Sequence, residues 1–296
     1  MNEIVTAPVT IAPIDELAVV RLTGADTRTF LQGQLSADVG RLTHQHSQLA
    51  SLNSAQGRVQ AVLRLVADGE DVLLVLPAEL RARVAERLRR YVLRAQVKVD
   101  AEPADWACYR SSGTASAAGI GPPAESAGAS SANAGRIAIR VAAHEDRWLL
   151  LAPPGQAEPA SRDGSAAWRL AEIRAGHPQV YAATWETFVA QMLNLDALDA
   201  VSFAKGCYIG QEIIARAHYR GAVKRRMVRL RVAGAAPAPG TRILAGAAHA
   251  GEVVYGEAAD AGAECLAVIS LARLGDALKL ESGSDLERLP LPYAIE

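Results

Sequence analysis

The chain has 296 residues, of which 50% are hydrophobic, and its formal net charge is −1, from 31 basic and 32 acidic residues. This length suffices for ordinary cores in two or three domains, and the balanced charge gives no general attraction for nucleic acid or anionic membranes. Three cysteines with long spacings argue against a secreted disulfide framework. The start, MNEIVTAPVT, has no signal-peptide pattern, and no apolar run approaches the ~20 residues that span a bilayer. We therefore expect a cytoplasmic protein without membrane association.

The first 110 residues predict an α+β domain. A strand over 17–22 turns at Gly24 into a helix that places Phe30, Leu31 and Leu35 on one side. Between residues 48 and 77, apolar runs alternate with turn chemistry at 53–57 and 68–69, which is typical of an antiparallel meander.

Residues 78–94 predict a helix after Pro77, and 96–100 a further strand that closes this domain. The helical spacing assigns five residues to its buried face: Leu80, Val84, Leu88, Tyr91 and Val92. Six arginines lie largely on the other face, which we interpret as solvated.

The second half of the chain divides at changes of composition. Residues 111–135 are too poor in large apolar residues to offset their ordering entropy and predict a flexible loop. RIAIRV and RWLLL predict two short strands, the break over 152–165 is loop-like, and a helix around Trp168 ends at Gly176-His177-Pro178. Short apolar runs after Gly221 predict a terminal β-barrel. The predicted domains span 1–110, 111–165, 166–222 and 223–296.

The most informative stretch is KGCYIGQE, residues 205–212, here called the signature segment. Helical spacing of apolar residues predicts a helix from about Gly210, so Cys207 lies just before a helix N-terminus with Lys205 nearby. Both features favour thiolate over thiol, and Gly206 and Gly210 permit close backbone approach to a ligand. The alternative is a buried structural thiol.

Two charged features after the signature segment each allow two interpretations. Glu212 either pairs with Arg216 on the helix surface or, if it faces a cavity, accepts N–H groups from a planar heterocycle. A run of basic residues forms either a solvated face or a site for phosphate or polyglutamate. Its seven members are Arg216, Arg220, Lys224, Arg225, Arg226, Arg229 and Arg231.

Several common site motifs are missing from the sequence. The six histidines show no metal-binding spacing, and no CxxC occurs, so neither a dedicated metal site nor an iron–sulfur cluster held by this chain alone is indicated. No dinucleotide-binding or P-loop motif occurs either.

KGCYIGQEIIARAHYRGAVKRR resembles the signature of the YgfZ family, K-G-C-[YF]-x-G-Q-E followed by a basic helix exit. VVRLTGADTRTFLQGQLSADV, LNSAQGRVQAVLRL and the C-terminal LPLPYAIE are similar to other parts of that family. The resemblance covers nearly all of the chain apart from 111–165. It implies the fold of the glycine-cleavage T-protein, an α+β protein of three domains around a central folate cavity with a C-terminal β-barrel.

The resemblance also implies a ligand and roles for particular residues. It implies tetrahydrofolate or a one-carbon derivative as ligand, with Trp168 stacking on the pterin ring and Cys207 acting as a functional thiolate. A second family tryptophan corresponds here to Leu17. The residues predicted to contact the folate are Trp168, Leu17, Lys205, Gly206, Tyr208, Gly210, Gln211, Glu212 and Arg220. Read from the sequence alone, Trp168 is also compatible with a core position.

By resemblance, the protein takes part in iron–sulfur protein maturation and tRNA modification, with iron–sulfur enzymes or cluster-assembly factors as partners. We expect a monomer without direct nucleic-acid binding. Catalysis is left open, because the T-protein carries carboxylates after the hairpin glycine where Gln60 and Ala61 stand here. The alternatives are a folate-dependent aminomethyltransferase-type enzyme and an RNA-binding module that uses the basic run over 216–231.

Overall fold

A computed structural model describes residues 10–112, 127–133, 135–142, 147–155, 164–219, 221 and 223–295. The chain forms two compact units. Unit 1 comprises Met1–Arg28, Gly40–Gln48 and Arg64–Ser165, and unit 2 comprises Thr29–Val39, Leu49–Leu63 and Ala166–Glu296. The four domains expected from the sequence stay predictions.

Four α-helices and sixteen strands make up the described secondary structure. The helices are α1 Thr27–Gln34, α2 Arg81–Val92, α3 Ser165–Ala175 and α4 Gln211–Tyr219. The strands are β1 Thr10–Pro13, β2 Leu17–Thr23, β3 Gln48–Asn53, β4 Val59–Asp68, β5 Asp71–Pro77, β6 Lys98–Asp100, β7 Ala107–Ser112, β8 Ser130–Asn133, β9 Arg136–Arg140, β10 Arg147–Ala152, β11 Arg225–Val232, β12 Arg242–Ala245, β13 Ala248–Ala259, β14 Gly262–Ser270, β15 Leu278–Leu280 and β16 Asp285–Leu289.

One antiparallel sheet of unit 1 has the strand order β1-β7-β10-β9-β8. Its small core packs Tyr109, Ala138, Leu150 and Ala152 together. Strands β9 and β10 confirm the two short strands expected from RIAIRV and RWLLL.

The prediction of a flexible loop over 111–135 is wrong for the residues of this range that the structure describes as strand. Residues 130–133 form β8, which pairs with β9, although their side chains are small and polar. Backbone hydrogen bonds explain this, because the Ser130 N–H also donates to the carbonyl of Gln45. The rest of that loop falls largely outside the described residues, as does most of the break over 152–165.

A second sheet has the order β3-β4-β5-β2-β6, and it contains the expected meander. Nine of the ten residues of β4 are buried, which matches its nearly continuous apolar sequence. The turn between β4 and β5 places Gly69 at φ +58°, a left-handed conformation that glycine adopts at little cost.

Helix α2 is shorter than the sequence predicts, and its buried face is narrower. Leu80 is buried in a short 3-10 turn before the helix, and Val84 and Leu88 are buried in it. Tyr91, expected on the buried face, is 44% exposed. The helix ends at Val92, because the next residue, Leu93, has φ +48°. The Tyr91 ring packs against the Arg87 guanidinium, whose carbon lies 3.7 Å from the ring centre.

Unit 2 contains the predicted barrel, a closed sheet in the order β11-β14-β13-β12-β15-β16. Its interior is a continuous apolar cluster, in which residues such as Val253, Cys265 and Ile269 are inaccessible to solvent. The prediction that α1 buries one side is also confirmed in unit 2, where three residues of this region are buried: Phe30, Leu31 and Leu35.

Two ion pairs attach α3 to the barrel. Arg169 bonds Glu257 of β13 at 2.5 Å, and Arg174 bonds Glu264 of β14 at 3.0 Å. The helix ends before Gly176, which has φ +70° and confirms the predicted stop. No helix within the described residues is both long and apolar enough to cross a membrane.

Candidate functional site

The signature segment is packed on the hairpin turn formed by residues 53–57. Gly210 has φ +83°, and a Cβ atom placed there would lie 2.6 Å from the Ser54 carbonyl oxygen. Gly57 has φ +69°, and its Cβ would lie 2.8 Å from Cβ of Ile213 in α4. Each glycine therefore permits the close approach of the opposite segment, and both have backbone angles that other residues adopt only with strain.

Lys205 holds the beginning of the signature segment. Its ammonium donates hydrogen bonds to the carbonyls of Leu35, at 2.9 Å, and Ala37, at 2.7 Å, and lies 5.1 Å from the ring centre of Tyr208. Burial lowers the pKa of Lys205 to about 8, against an opposing effect of Asp38. These contacts assign Lys205 an anchoring role, and its predicted effect on the Cys207 thiol stays a prediction.

Cys207 is exposed, whereas Cys108 and Cys265 are buried. Burial raises the pKa of each of those two thiols to about 12, so neither forms a thiolate at neutral pH. A Cβ atom at the neighbouring Gly206 would have no other atom within 4 Å. The part of the signature segment around Cys207 is thus open to a reagent or ligand.

Tyr208 is the buried residue of the segment. It is 6% exposed, and burial raises the pKa of its phenol to about 12. Its N–H donates to Oε1 of Gln211 at 3.3 Å, which links the segment to the first residue of α4. The Tyr208 hydroxyl is buried without a hydrogen-bond partner among the described residues.

Helix α4 confirms the helix expected from about Gly210. Ile214 is buried, but the other apolar residues at helical spacing are only half-buried, whereas Glu212, Arg216 and Tyr219 are exposed as the spacing predicts. Glu212 and Arg216 bond each other at 2.6 Å. These two residues, Ala215 and Tyr219 line an open pocket of about 270 Å³, so Glu212 both forms the surface pair and faces a pocket.

The predicted basic run is largely paired with acids. Arg216 bonds Glu212, Arg229 bonds Glu264 at 2.7 Å, and Arg231 bonds Glu287 at 2.6 Å. The Arg226 side chain is 8% exposed and bonds Asp196 at 2.7 Å. Apart from Glu212, the acids that pair with the run lie at least 30 residues away in sequence, so the sequence alone shows the run as a positive patch. Arg220, one of the predicted ligand contacts, lies outside the described residues.

Known proteins resemble this chain in sequence and in fold. No family model matches the chain. A tRNA-modifying protein YgfZ of Yersinia pestis is 32% identical over 234 residues, which cover 74% of this chain and 70% of the relative. YgfZ of Escherichia coli O157:H7 is 31% identical over 231 residues, which cover 74% and 71%.

The chain belongs to the YgfZ family. The family expected from the signature segment is thereby confirmed. The fold is confirmed as well, because the glycine-cleavage aminomethyltransferase T of Bartonella henselae superposes with a TM-score of 0.63 over 96% of this chain and 85% of its own, at 14% identity.

Within this YgfZ-family chain, a carboxylate lies where the sequence indicated none. Gln60, on β4 after the hairpin turn, donates from Nε2 to Oε1 of Glu186 at 2.7 Å. Glu186 has φ +59°. Positions 60 and 61 themselves carry no carboxylate, but the fold brings one next to Gln60 from a distant part of the chain. Since 126 residues separate the two partners, no local pattern in the sequence reveals this contact.

Trp168 and Leu17, the two positions predicted to correspond to tryptophans of the family, are found in different units of the chain. Trp168, on α3 of unit 2, is 5% exposed, so a ligand can reach only a small part of its ring in this conformation. Leu17, at the start of β2 in unit 1, lines a cavity of about 530 Å³ together with Trp106 and Tyr109. No group of three or more metal-ligating side chains occurs in the described part of the chain.

Proposed function

We propose that this protein binds tetrahydrofolate or a one-carbon derivative and serves as an accessory protein in iron–sulfur cluster assembly or repair for enzymes that modify tRNA, including thiomodification. The observation that carries the proposal is the signature segment. It is held by Lys205 and by the Gly210–Gly57 contact while Cys207 stays exposed. Relatives named tRNA-modifying proteins support the biological role.

The residues around this junction fit a polar heterocycle such as pterin. Buried polar atoms in proteins almost always have partners, yet two atoms here have none within the described structure. They are Oδ1 of Asn53 and the hydroxyl of Tyr208. The first accepts and the second donates or accepts, which complements the N–H and carbonyl groups of a pterin. Bound folate, with ordered water, would supply the missing partners.

The iron–sulfur cluster belongs to this proposal as cargo and not as a resident group, since the chain has no cluster-binding cysteine motif. We propose that this protein is a cytoplasmic monomer whose partners are iron–sulfur enzymes of tRNA modification or cluster-assembly factors. An exposed Cys207 beside a folate suits contact with such a partner.

A titration of the purified full-length chain with tetrahydrofolate tests the ligand. We expect saturable binding, measured by calorimetry and by tryptophan fluorescence. Trp168→Phe keeps most of the packing and should weaken binding moderately, whereas Trp168→Ala also removes buried area and should destabilise the fold by about 3 to 5 kcal/mol. If folded wild-type protein shows no saturation, the folate proposal fails. If Trp168→Phe and a folded Trp168→Ala both retain full affinity, Trp168 does not contribute to the site.

The second candidate is a folate-dependent aminomethyltransferase, and the Gln60–Glu186 pair is the observation that favours it. A carboxylate beside the hairpin strand is chemically able to orient an amine. We nevertheless expect no turnover, because the only side chains at positions 60 and 61 are an amide and a methyl group. Formation of methylene-tetrahydrofolate from an aminomethyl-lipoyl carrier protein would contradict this, and Glu186→Gln would then be the variant to test for lost activity.

A further inference from the structure

We propose that the exposed face of α2 and the turn after it form a docking surface for RNA, here called the α2 surface. A row of four arginines contacts phosphate groups, and two exposed apolar side chains contact unpaired bases. The row consists of Arg83, Arg87, Arg90 and Arg94, and the apolar side chains are Tyr91 and Leu93. All six belong to unit 1. The balanced charge of the whole chain predicts no direct nucleic-acid binding, but the charge of this helix departs from that balance.

Positive charge is concentrated on α2 and the turn after it. Residues 81–98 contain seven basic residues and a single acid, Glu86, in a chain whose total charge is −1. Glu86 pairs with Arg90, and both side chains are exposed, so a phosphate can replace this weak pair. Arg81, at the start of the helix, pairs with Glu102 and is not part of the row. The local excess of positive charge attracts a polyanion, although the chain as a whole is nearly neutral.

The arginine row runs along one face of the helix. Arg83, Arg87 and Arg90 are separated by four and three residues, so they lie about 6 and 4.5 Å apart along the axis on the same face. Arg94 follows in the turn and is exposed, as are Arg83 and Arg90. An RNA strand offers a regular row of phosphates, whose binding releases counterions and so favours association. An acidic protein would have to bring a matching set of carboxylates out of water, which is costly, so the charges favour RNA as the occupant.

Tyr91 adds a stacking surface beside the arginine row. It lies in the last turn of α2 and is 44% exposed. The guanidinium carbon of Arg87 lies 3.7 Å from the ring centre, so one face of the ring is covered and the ring is held in place. Unpaired RNA bases stack on aromatic rings and on guanidinium planes, whereas a protein that contacts only phosphates needs no such ring. The pairing of arginine with an exposed ring therefore favours RNA that has unpaired bases.

Stability of the chain does not explain Leu93. Its side chain is 87% exposed, and its φ of +48° is a backbone angle at which glycine is preferred after a helix. The turn around it is fixed, because Asp26 donates its N–H to the carbonyl of Gln96 and accepts the Gln96 N–H on its carboxylate at 2.7 Å. Leu93 is thus held outward at a fixed place, where contact with a base or ribose would bury it.

Transfer RNA combines the two features that the α2 surface fits, which are paired stems with a regular phosphate backbone and loops with unpaired bases. The choice of tRNA, but not of RNA, rests on the proposed function, in which this protein serves enzymes that modify tRNA. Binding at α2 would bring the protein to the substrate of those enzymes.

Binding of labelled bulk tRNA to the full-length chain, followed by fluorescence anisotropy, tests the inference. If about four phosphates are contacted, the affinity should fall by about 50- to 150-fold between ~50 and ~200 mM salt. Arg83→Ala and Arg94→Ala should each weaken binding and make the slope of log affinity against log salt shallower by about one. Tyr91→Ala should weaken binding by about tenfold, because a base loses its stacking partner.

Leu93→Gly separates docking from stability. This variant should bind tRNA about fivefold more weakly, because an apolar contact is lost. Its melting temperature should equal or exceed that of the wild type, because glycine adopts the backbone angle at little cost. A blunt RNA duplex, which has no unpaired bases, should depend on the arginines in the same way but not on Tyr91 or Leu93.

Unit 2 offers matched controls for both kinds of side chain. Tyr219 is 67% exposed, and Arg231 is an exposed arginine paired with Glu287, as Arg90 is paired with Glu86. Tyr219→Ala and Arg231→Ala should leave the tRNA affinity and its salt dependence unchanged. Circular dichroism and melting temperatures confirm that each variant is folded.

The possible results separate this inference from the proposed function. Salt-sensitive tRNA binding that the α2 variants weaken and the unit 2 controls preserve supports it. No saturable tRNA binding, or binding that the α2 variants leave unchanged, overturns it. If those variants bind RNA as the wild type does but fail to restore tRNA thiomodification in a cell that lacks the native protein, a protein partner occupies the surface and the inference is wrong. Saturation with tetrahydrofolate in the absence of tRNA binding leaves the proposed function standing, and tRNA binding without such saturation leaves only the α2 surface.

Discussion

The C-terminal barrel and the junction of the signature segment with the hairpin turn lie in the same unit, but different physical requirements explain their residues. In the barrel, apolar side chains fill a closed interior, and three arginines of β11 each pair with a carboxylate: Arg226, Arg229 and Arg231. At the junction of the signature segment with the hairpin turn, two glycines have left-handed backbone angles, Cys207 is exposed, and the Tyr208 hydroxyl is buried without a described partner. Barrel residues are explained by stability, whereas the junction departs from stability rules in several places, as functional sites do.

The largest effect on stability is expected in the barrel, from Asp196→Ala. Arg226 is 8% exposed at its side chain, and Asp196 is its carboxylate partner at 2.7 Å. Removing that partner leaves a buried charge uncompensated and should destabilise the fold by about 3 to 5 kcal/mol, measured by urea unfolding. Glu287→Ala, which breaks the exposed pair with Arg231, is the control and should cost less than about 1 kcal/mol. Equal costs for the two variants would show that the burial of Arg226 does not matter.

The next largest effect should come from the junction, through Gly210→Ala. The added methyl group meets the Ser54 carbonyl at 2.6 Å in a backbone conformation with φ +83°, so strain and collision combine. We expect a loss of about 2 to 3 kcal/mol together with weaker tetrahydrofolate binding. Gly206→Ala, four residues away, meets no atom within 4 Å and should change stability by less than about 0.5 kcal/mol. If Gly210→Ala were as stable as the wild type, the signature segment and the hairpin turn would not be packed as closely as described.

Most of the fold was predictable because its elements follow local patterns. The strand β2, the meander, the stop of α3 at Gly176 and the barrel strands are each indicated by periodicity and turn residues nearby. The exceptions depend on distant partners. Tyr91 has helical spacing typical of a buried residue but stacks with Arg87, and the polar strand β8 is stabilised by pairing with β9 and by contact with residues 44 and 45.

Only the part of the candidate site that belongs to a sequence motif was predictable. The signature segment and the helix after it were found from the sequence, and so were the exposed positions of Glu212 and Arg216. The Gln60–Glu186 pair and the aromatic contact of Phe203 with Tyr219 join residues that no local pattern connects. The pairing of the basic run could not be predicted for the same reason, since three of its acids, Asp196, Glu264 and Glu287, come from other strands and loops.

A smaller effect should appear in the pH dependence of stability, through Glu264 of the barrel. Burial alone would raise the pKa of this carboxyl, but hydrogen bonds from Arg174 and Arg229 outweigh it and hold the pKa below its usual range. The native state thus favours the ionised form, so this contribution is fully present above the unfolded pKa of about 4.3 and is lost as the pH falls through the lower folded value. Urea unfolding between pH 3 and 7 should show this loss in the wild type, at no more than about 1.4 kcal/mol per pH unit, and a flatter profile in Glu264→Gln. Parallel profiles would contradict the assignment.

The smallest effect on stability is expected from Cys207→Ser, and its comparison with Cys265→Ser gives the sharpest contrast between the two regions. Cys265 is inaccessible to solvent in the barrel core, so Cys265→Ser buries a hydroxyl among apolar side chains and should cost about 1 to 3 kcal/mol. Cys207 is exposed, and Cys207→Ser should change the free energy of unfolding by less than about 0.5 kcal/mol and leave tetrahydrofolate affinity unchanged. Iodoacetamide at neutral pH should alkylate Cys207 in the native protein, while Cys108 and Cys265 react only after unfolding, because burial holds the pKa of both thiols at about 12.

If Cys207 is the functional thiolate, the stable serine variant should fail to restore iron–sulfur-dependent tRNA thiomodification in a cell that lacks the native protein, and Cys265→Ser should restore it to the extent that it folds. Full restoration by Cys207→Ser would remove the thiolate from the proposed function and leave the folate site to be judged by its own titration.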